Sequence, residues 1–264
     1  MKTIVITGST RGIGYHLADA FLARGCQVVV SGRTAEAVAQ AVADLSARHE
    51  AGRVSGHPCD VTCFEEVQAL WDAAQARFGT VDVWINNAGI GHAQTDFWDY
   101  SPALIQAVVE TNVTGAMYGA RVALAGMRAQ GAGSIYNMEG LGSDGRWVEG
   151  LTVYGTTKAA LAYLTDSLAR EVEGTPIVAG ALRPGMVVTD MLLVQYEDRP
   201  EDWERAKRVF NILADKPETV TPWMADKVLA NEKNGARFKY LSTFQVAWRF
   251  LTAPFRKRDL FGQA

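Results

Sequence analysis

The chain has 264 residues, 48% of them hydrophobic and 21% charged, enough for one sizeable core and near the upper limit for a single domain. A formal net charge of -3 supplies no global basic field, so no nucleic-acid partner is expected. Cys26, Cys59 and Cys63 match neither metal-knuckle nor redox-pair spacing, which favours a reducing, cytoplasmic setting over a disulfide framework, and His16, His49, His57 and His92 lack metal-ligand spacing, so no metal is expected.

The first eight residues read as a buried strand at 3–6 ended by Gly8, too short for the apolar core of a signal sequence. Further strands are expected at 27–31, 53–57, 81–85, 134–137 and 176–182, separated by segments of helical period. Such alternation predicts an α/β fold, a doubly wound parallel sheet of Rossmann type with helices on both faces. Leu17, Phe21 and Leu22 belong to a first helix stopped by Gly25. Val67, Leu70, Trp71, Ala74 and Phe78 mark a second, with Thr62 and Glu65 in capping-box spacing. Leu161, Leu164, Leu168 and Val172 place Tyr154 and Lys158 at the start of another. Beyond Gly185 the pattern changes to a charged stretch at 197–208, with Glu201/Arg205 and Glu204/Arg208 spaced for ion pairs, read as a solvated, mobile insertion. No uncharged apolar run approaches the roughly 20 residues of a membrane-spanning helix.

Thr7-Gly8-Ser9-Thr10-Arg11-Gly12-Ile13-Gly14 lies between the first strand and the first helix, where glycines let a pyrophosphate approach the backbone and the helix N-terminus favours its charge. The bland reading is a tight structural turn. Where an NAD-preferring site carries an acid at the end of the second strand, this chain has Ser31-Gly32-Arg33. Arg33, with Arg11 as a second cation, suits the 2′-phosphate of NADP(H); otherwise Arg33 is a solvated side chain. Tyr154 and Lys158 stand one helical turn apart, so a cation beside the phenol is expected to lower its pKa and make it a general acid.

These features, with Asp60-Val61, Asn86-Asn87-Ala88-Gly89, Asn112 in a long helix and Pro184-Gly185-Met186-Val187-Val188-Thr189, resemble the short-chain dehydrogenase/reductase family. The resemblance implies that Asp60 and Val61 contact adenine, that Ala88 and Gly89 line the ribose, that Val187 and Thr189 hold the carboxamide, and that Asn87, Pro184 and Gly185 also belong to the cofactor site. It implies that Asn112 keeps a water in a proton relay behind Lys158. The family serine about 13 residues before the tyrosine is replaced by Leu141, and Ser143 is the nearest hydroxyl, either orienting substrate or filling a loop. Asn137-Met138-Glu139-Gly140-Leu141-Gly142-Ser143 resembles the chlorophyll b reductase branch, which reduces a 7-formyl group with NADPH.

The expectation is one NADP(H)-binding domain over 1–264, with a substrate-loop region at 186–220 and a C-terminal extension at 242–264. It would reduce a carbonyl, on a tetrapyrrole or on a lipid, steroid or acyl substrate; a non-catalytic nucleotide-binding regulator is the rival of another class. Trp147, Trp203 and Phe210 could stack on a flat ring or simply pack. The tail from Phe244 to Arg258, aromatic and basic, either contacts a partner subunit of a homodimer or homotetramer or rests on an anionic membrane.

Overall fold

Residues 1–196, 200–256 and 258–262 are described by the computed structural model, the side chain of Pro200 excepted; the start of the charged stretch (197–199), Lys257 of the basic run and the last two residues lie outside the described residues. In chain order the elements are β1 (Thr3–Ile6), α1 (Gly12–Leu22), β2 (Gln27–Gly32), α2 (Ala35–Arg48), β3 (Val54–Pro58), α3 (Phe64–Phe78), β4 (Val83–Asn86) and α4 (Pro102–Val109). After a π turn at Glu110–Thr114 come α5 (Gly115–Gln130), β5 (Gly133–Met138), α6 (Thr152–Glu171), β6 (Ile177–Arg183), α7 (Asp190–Leu193), α8 (Pro200–Leu213), α9 (Pro217–Leu229), β7 (Arg237–Lys239) and α10 (Thr243–Thr252).

The seven strands form one sheet in the order β3-β2-β1-β4-β5-β6-β7, every described pairing parallel. Parallel strands covered on both faces read as unbroken apolar runs. Ile4 and Ile6 of β1 face α1, α2 and α9, where Leu17, Phe21, Leu45, Val220 and Met224 are buried, while Val5 between them faces α3 and α5, with Leu70, Trp71 and Met127. The expected strands therefore stand, with ends shifted by one or two residues.

Two local expectations change. Helix α3 starts from Cys63 without a side-chain cap, because the Thr62 hydroxyl donates to Asp60 Oδ1 at 2.8 Å and Glu66, one residue beyond Glu65, accepts from the Asp60 amide at 2.7 Å. The insertion after β6 is helical and anchored. Phe210 and Leu213 are buried, and Trp203 packs on Tyr196, Phe210 and Phe261 with ring centroids 5.7, 6.0 and 4.9 Å away. Arg205 pairs with Asp202 and Lys207 with Glu204, both at i,i+3 spacing, in place of the expected i,i+4 pairs.

The C-terminal extension closes over this insertion. Ser242 and Gln245 form a capping box that starts α10, and Arg249 and Arg258 turn inward to donate to Leu213 O and Ala214 O, at 3.1 and 3.0 Å. Both also reach the buried Asp215 carboxylate at 2.7 Å. The last carbonyls of α8, left without helical partners by geometry, are thus satisfied by guanidinium groups suited to a helix C-terminus.

Candidate active site

In a sheet whose strands all run one way, every strand-end loop opens on the same edge, and ligands bind where the strand order reverses. Here that reversal falls between β1 and β4. Apart from Asn112, Tyr154 and Lys158, the candidate residues follow carboxyl ends: Thr7 to Gly14 after β1, Arg33 after β2, Asp60 and Val61 after β3, Asn87 to Gly89 after β4, Gly140 to Ser143 after β5 and Pro184 to Thr189 after β6.

The loop after β1 is fitted closely to its neighbours. Thr7 Oγ1 accepts from the amides of Asn87 and Ala88, both at 3.0 Å, and Asn87 Nδ2 donates to the carbonyls of Thr7 and Gly8 at 2.9 Å. Gly8 has φ +62°, and a Cβ there would stand 2.8 Å from Ala88 Cα, so neither its conformation nor its space admits a side chain. At Gly14 a Cβ would meet Asn87 Nδ2 at 2.5 Å. Ser9 is buried, its hydroxyl donating to Ile6 O at 2.7 Å and accepting from Ser31 N at 2.9 Å, so its side chain ties β1 to β2. Thr10 packs against Gly32, Ile13 packs on the core, and Gly12, at φ +58°, opens α1 beside the Thr189 methyl.

Two cations flank this loop. Arg11 is exposed and pairs with Asp190 at 3.3 Å; Arg33 is exposed and, among the described residues, forms no hydrogen bond or ion pair. Asp60 Oδ1 accepts from the amide and hydroxyl of Thr62, whereas Val61 is buried. Past β6, Pro184 is buried, Gly185 has φ +78°, and Val187 bridges to Asp215 as Val188 N donates to its carbonyl at 3.0 Å. Thr189 precedes α7. Glycines that a Cβ would overfill, a helix N-terminus and an unpaired guanidinium at the end of β2 fit a phosphorylated dinucleotide.

Tyr154 and Lys158 face the same crevice from the first turns of α6, both buried. Lys158 Nζ donates to Met138 O at 3.0 Å and lies 5.6 Å from the Tyr154 ring centroid. Burial pushes Lys158 down to about 8, opposed by the Glu139 carboxylate, and pushes Tyr154 up to about 12. Burial alone moves the phenol, and it moves it upward, so the expected lowering is not found.

Asn112 sits in the π turn between α4 and α5, fully buried, a geometry that recurs at functional sites. Its Oδ1 accepts from Ile90 N at 2.8 Å, and its Nδ2 donates to Ile90 O at 3.0 Å and Thr157 Oγ1 at 3.1 Å. Thr157 in turn donates to Tyr154 O at 2.7 Å. The Asn112 side chain thus joins the loop after β4 to the helix that carries Tyr154.

Gly140 lies against the reactive pair: a Cβ there would stand 3.0 Å from the Tyr154 hydroxyl and 3.6 Å from Lys158 Cε. Ser143 donates to Gly140 O at 2.6 Å within the turn that follows. His92, read from sequence as a packing or surface residue, is buried and receives the Tyr154 amide on Nε2 at 3.3 Å, with Nδ1 2.8 Å from Ala93 O, so it caps α6. Trp203 and Phe210 belong to the aromatic cluster under the insertion, while Trp147 is 74% exposed in the 142–150 loop.

A family model described as short chain dehydrogenase matches residues 2–200. Among curated relatives, the probable chlorophyll(ide) b reductase NYC1 of Oryza sativa subsp. japonica is 32% identical over 99% of this chain and 54% of its own length. The chlorophyll(ide) b reductase NOL of the same plant is 37% identical over 88% of this chain and 67% of its own. The chain thus spans about half the length of the first of these. Among solved structures, an actinorhodin polyketide ketoreductase with NADPH superposes with TM-score 0.81 at 27% identity, covering 92% of this chain and 97% of that one. The glycine loop, the Tyr154–Lys158 turn, the parallel sheet and the match over residues 2–200 agree: this chain belongs to the short chain dehydrogenase family.

Proposed function

We propose that the chain reduces a carbonyl to an alcohol with NADPH, and that its substrate is an aldehyde on a large flat ring of the chlorophyll b type. The observation that carries the reaction is the Tyr154 phenol, buried beside Lys158 on the edge that also bears the glycine loop. Residues 8–14, Arg33, Asp60, Val61, 87–89 and 184–189 would hold the dinucleotide, which when bound supplies the hydride. Tyr154 donates its hydroxyl proton to the carbonyl oxygen as that oxygen gains charge. Lys158, with a pKa near 8, is placed to return a proton to the site. A Cβ at Gly140 would crowd the Tyr154 hydroxyl, so glycine there keeps a side chain off the phenol. The chlorophyll(ide) b reductase relatives support the ring, and the ketoreductase fold neighbour supports the rival, a lipid or acyl ketone.

The test is NADPH oxidation against a panel of formyl pigments and acyl ketones, followed by absorbance. Tyr154→Phe should lower turnover by at least about 100-fold, and Ser143→Ala by about tenfold if Ser143 orients the substrate. Turnover on ketones alone would select the rival; none with any carbonyl would favour a nucleotide-binding regulator.

We also propose a cytoplasmic homo-oligomer that uses the C-terminal extension as a contact. Phe244, Trp248, Leu251 and Phe255 form one exposed row on α10 and its continuation, while Arg249 and Arg258 point inward, so two of the tail's cations are turned away from an anionic membrane. Leu251→Glu should lower the mass measured by sedimentation; unchanged mass together with liposome binding at low salt would assign the row to lipid.

A further inference from the structure

At the carboxyl end of β5, Glu139 has a side chain with no exposed surface, yet it carries a carboxylate. Both oxygens are held. Arg183, the last residue of β6, donates from Nε to Oε2, and Arg237, the first of β7, donates from Nε to Oε1 at 3.1 Å. Each arginine then reaches a different part of the site. Arg183 Nη2 donates to Ser143 O at 3.2 Å and its Nη1 lies 3.8 Å from Asp144, so it fastens the turn next to the Tyr154 hydroxyl. Arg237 donates to Ala162 O at 2.9 Å and pairs with Asp166 at 2.8 Å, so it fastens the helix that bears Tyr154 and Lys158.

An uncompensated buried carboxylate is costly, and apolar groups of equal size often pack as well or better. Packing alone therefore does not account for placing an acid there. We propose that Glu139 is a positioning residue, which through Arg183 and Arg237 holds the 140–143 turn against α6 and sets the charge on Lys158. This rests on Tyr154 and Lys158 forming the reactive pair.

The charge environment of Lys158 can be enumerated. Glu139 faces it from β5, next to the Met138 carbonyl that it bonds. Behind Glu139 stand Arg183 from β6 and Arg237 from β7. Its own helix bears Tyr154 and Asp166, the turn after β5 bears Asp144 with Arg146, the loop after β4 bears uncharged Gly89 and His92 at the Tyr154 amide, and the π turn bears Asn112. Glu139 is the anion at the centre of this set, and Arg237 is a cation partly neutralising it.

Two substitutions therefore move Lys158 in opposite directions. Glu139→Gln keeps the shape and removes the anion, so Lys158 should lose its proton about one pH unit lower. Arg237→Met leaves Glu139 less neutralised, so Lys158 should hold its proton to higher pH. The midpoint is read by NMR on 13C-lysine protein, with the Lys158 signal identified by its loss in Lys158→Met; the basic limb of kcat/KM should follow it. Opposite shifts in the two variants support the coupling, and Glu139→Asp should return the midpoint towards that of the parent. Shifts of the same sign, or none, overturn it, because general loosening would not change sign. Should Glu139→Gln fail to fold, Arg237→Lys, which keeps the charge, is the control: the coupling requires Arg237→Met to raise the midpoint and Arg237→Lys to leave it near that of the parent. The NMR titration needs no substrate: absent turnover sinks the reductase reading only, and an unmoved midpoint with turnover intact sinks this one only.

Discussion

Tyr154 and Lys158 carry burial with opposite consequences for stability. Lys158 has a folded-state pKa of about 8 against an ordinary 10.5, so between those values the unfolded chain binds more protons and stability rises with pH. Tyr154 runs from an ordinary 10.0 up to about 12 when folded, so between those values the folded chain binds more protons and stability falls as pH rises. Relative to Lys158→Met, the parent should therefore gain about 3 kcal/mol between pH 8 and 10.5. Urea unfolding of both proteins at pH 7.5, 9 and 10.5 measures this, and parallel stability curves would show that Lys158 is not desolvated. At the same scale, the residue pair itself was legible from its one-turn spacing, but the sign of the phenol's shift was not. Spacing shows that a cation is near; it does not show that water has been removed from both groups.

Among the elements, the insertion and the tail depend on one carboxylate. Asp215 joins the strand-like segment at Val187 to Arg249 of α10 and Arg258 beyond it, and these arginines also close the end of α8. Asp215→Ala would leave two partly exposed guanidinium groups without their anion, which should cost about 2 kcal/mol, below the cost of a fully buried pair because water reaches both arginines. Limited proteolysis should then cut faster within α10 while NADPH still slows global unfolding; an unchanged cutting rate would show that the tail is held by its aromatic contacts alone. The strands were readable because burial on both faces removes the polar positions from them. The latch was not: a basic, aromatic tail looks the same in sequence whether its arginines face outward or cap a helix 36 to 44 residues away. The same distance effect hid the Glu139 cluster, whose arginines lie 44 and 98 residues along the chain. The π turn at Asn112 and the close approach of Gly140 to the phenol are backbone events without a residue-type signature.

For the whole molecule, the cofactor crevice is assembled from loops of both halves of the sheet, stitched by Thr7 and Asn87 across the β1–β4 switch point. A ligand that binds this crevice binds only the folded chain, so it must raise the global unfolding temperature. At a concentration 100 times its dissociation constant, it adds about 2.7 kcal/mol, which for a chain of this size is roughly 5 to 10 °C. In the function proposed above, Arg33, exposed and without an ion pair among the described residues, would be the group that tells the 2′-phosphate from a hydroxyl. At equal concentrations NADPH should therefore raise the melting temperature more than NADH, and Arg33→Ala should erase that difference while leaving the NADH response in place. The Michaelis constants should move in parallel, with that for NADPH rising in Arg33→Ala much more than that for NADH. Equal responses in the parent would remove Arg33 from the site. No response to either nucleotide would remove the dinucleotide itself, because a crevice built from both halves of the sheet cannot be filled without stabilising the whole.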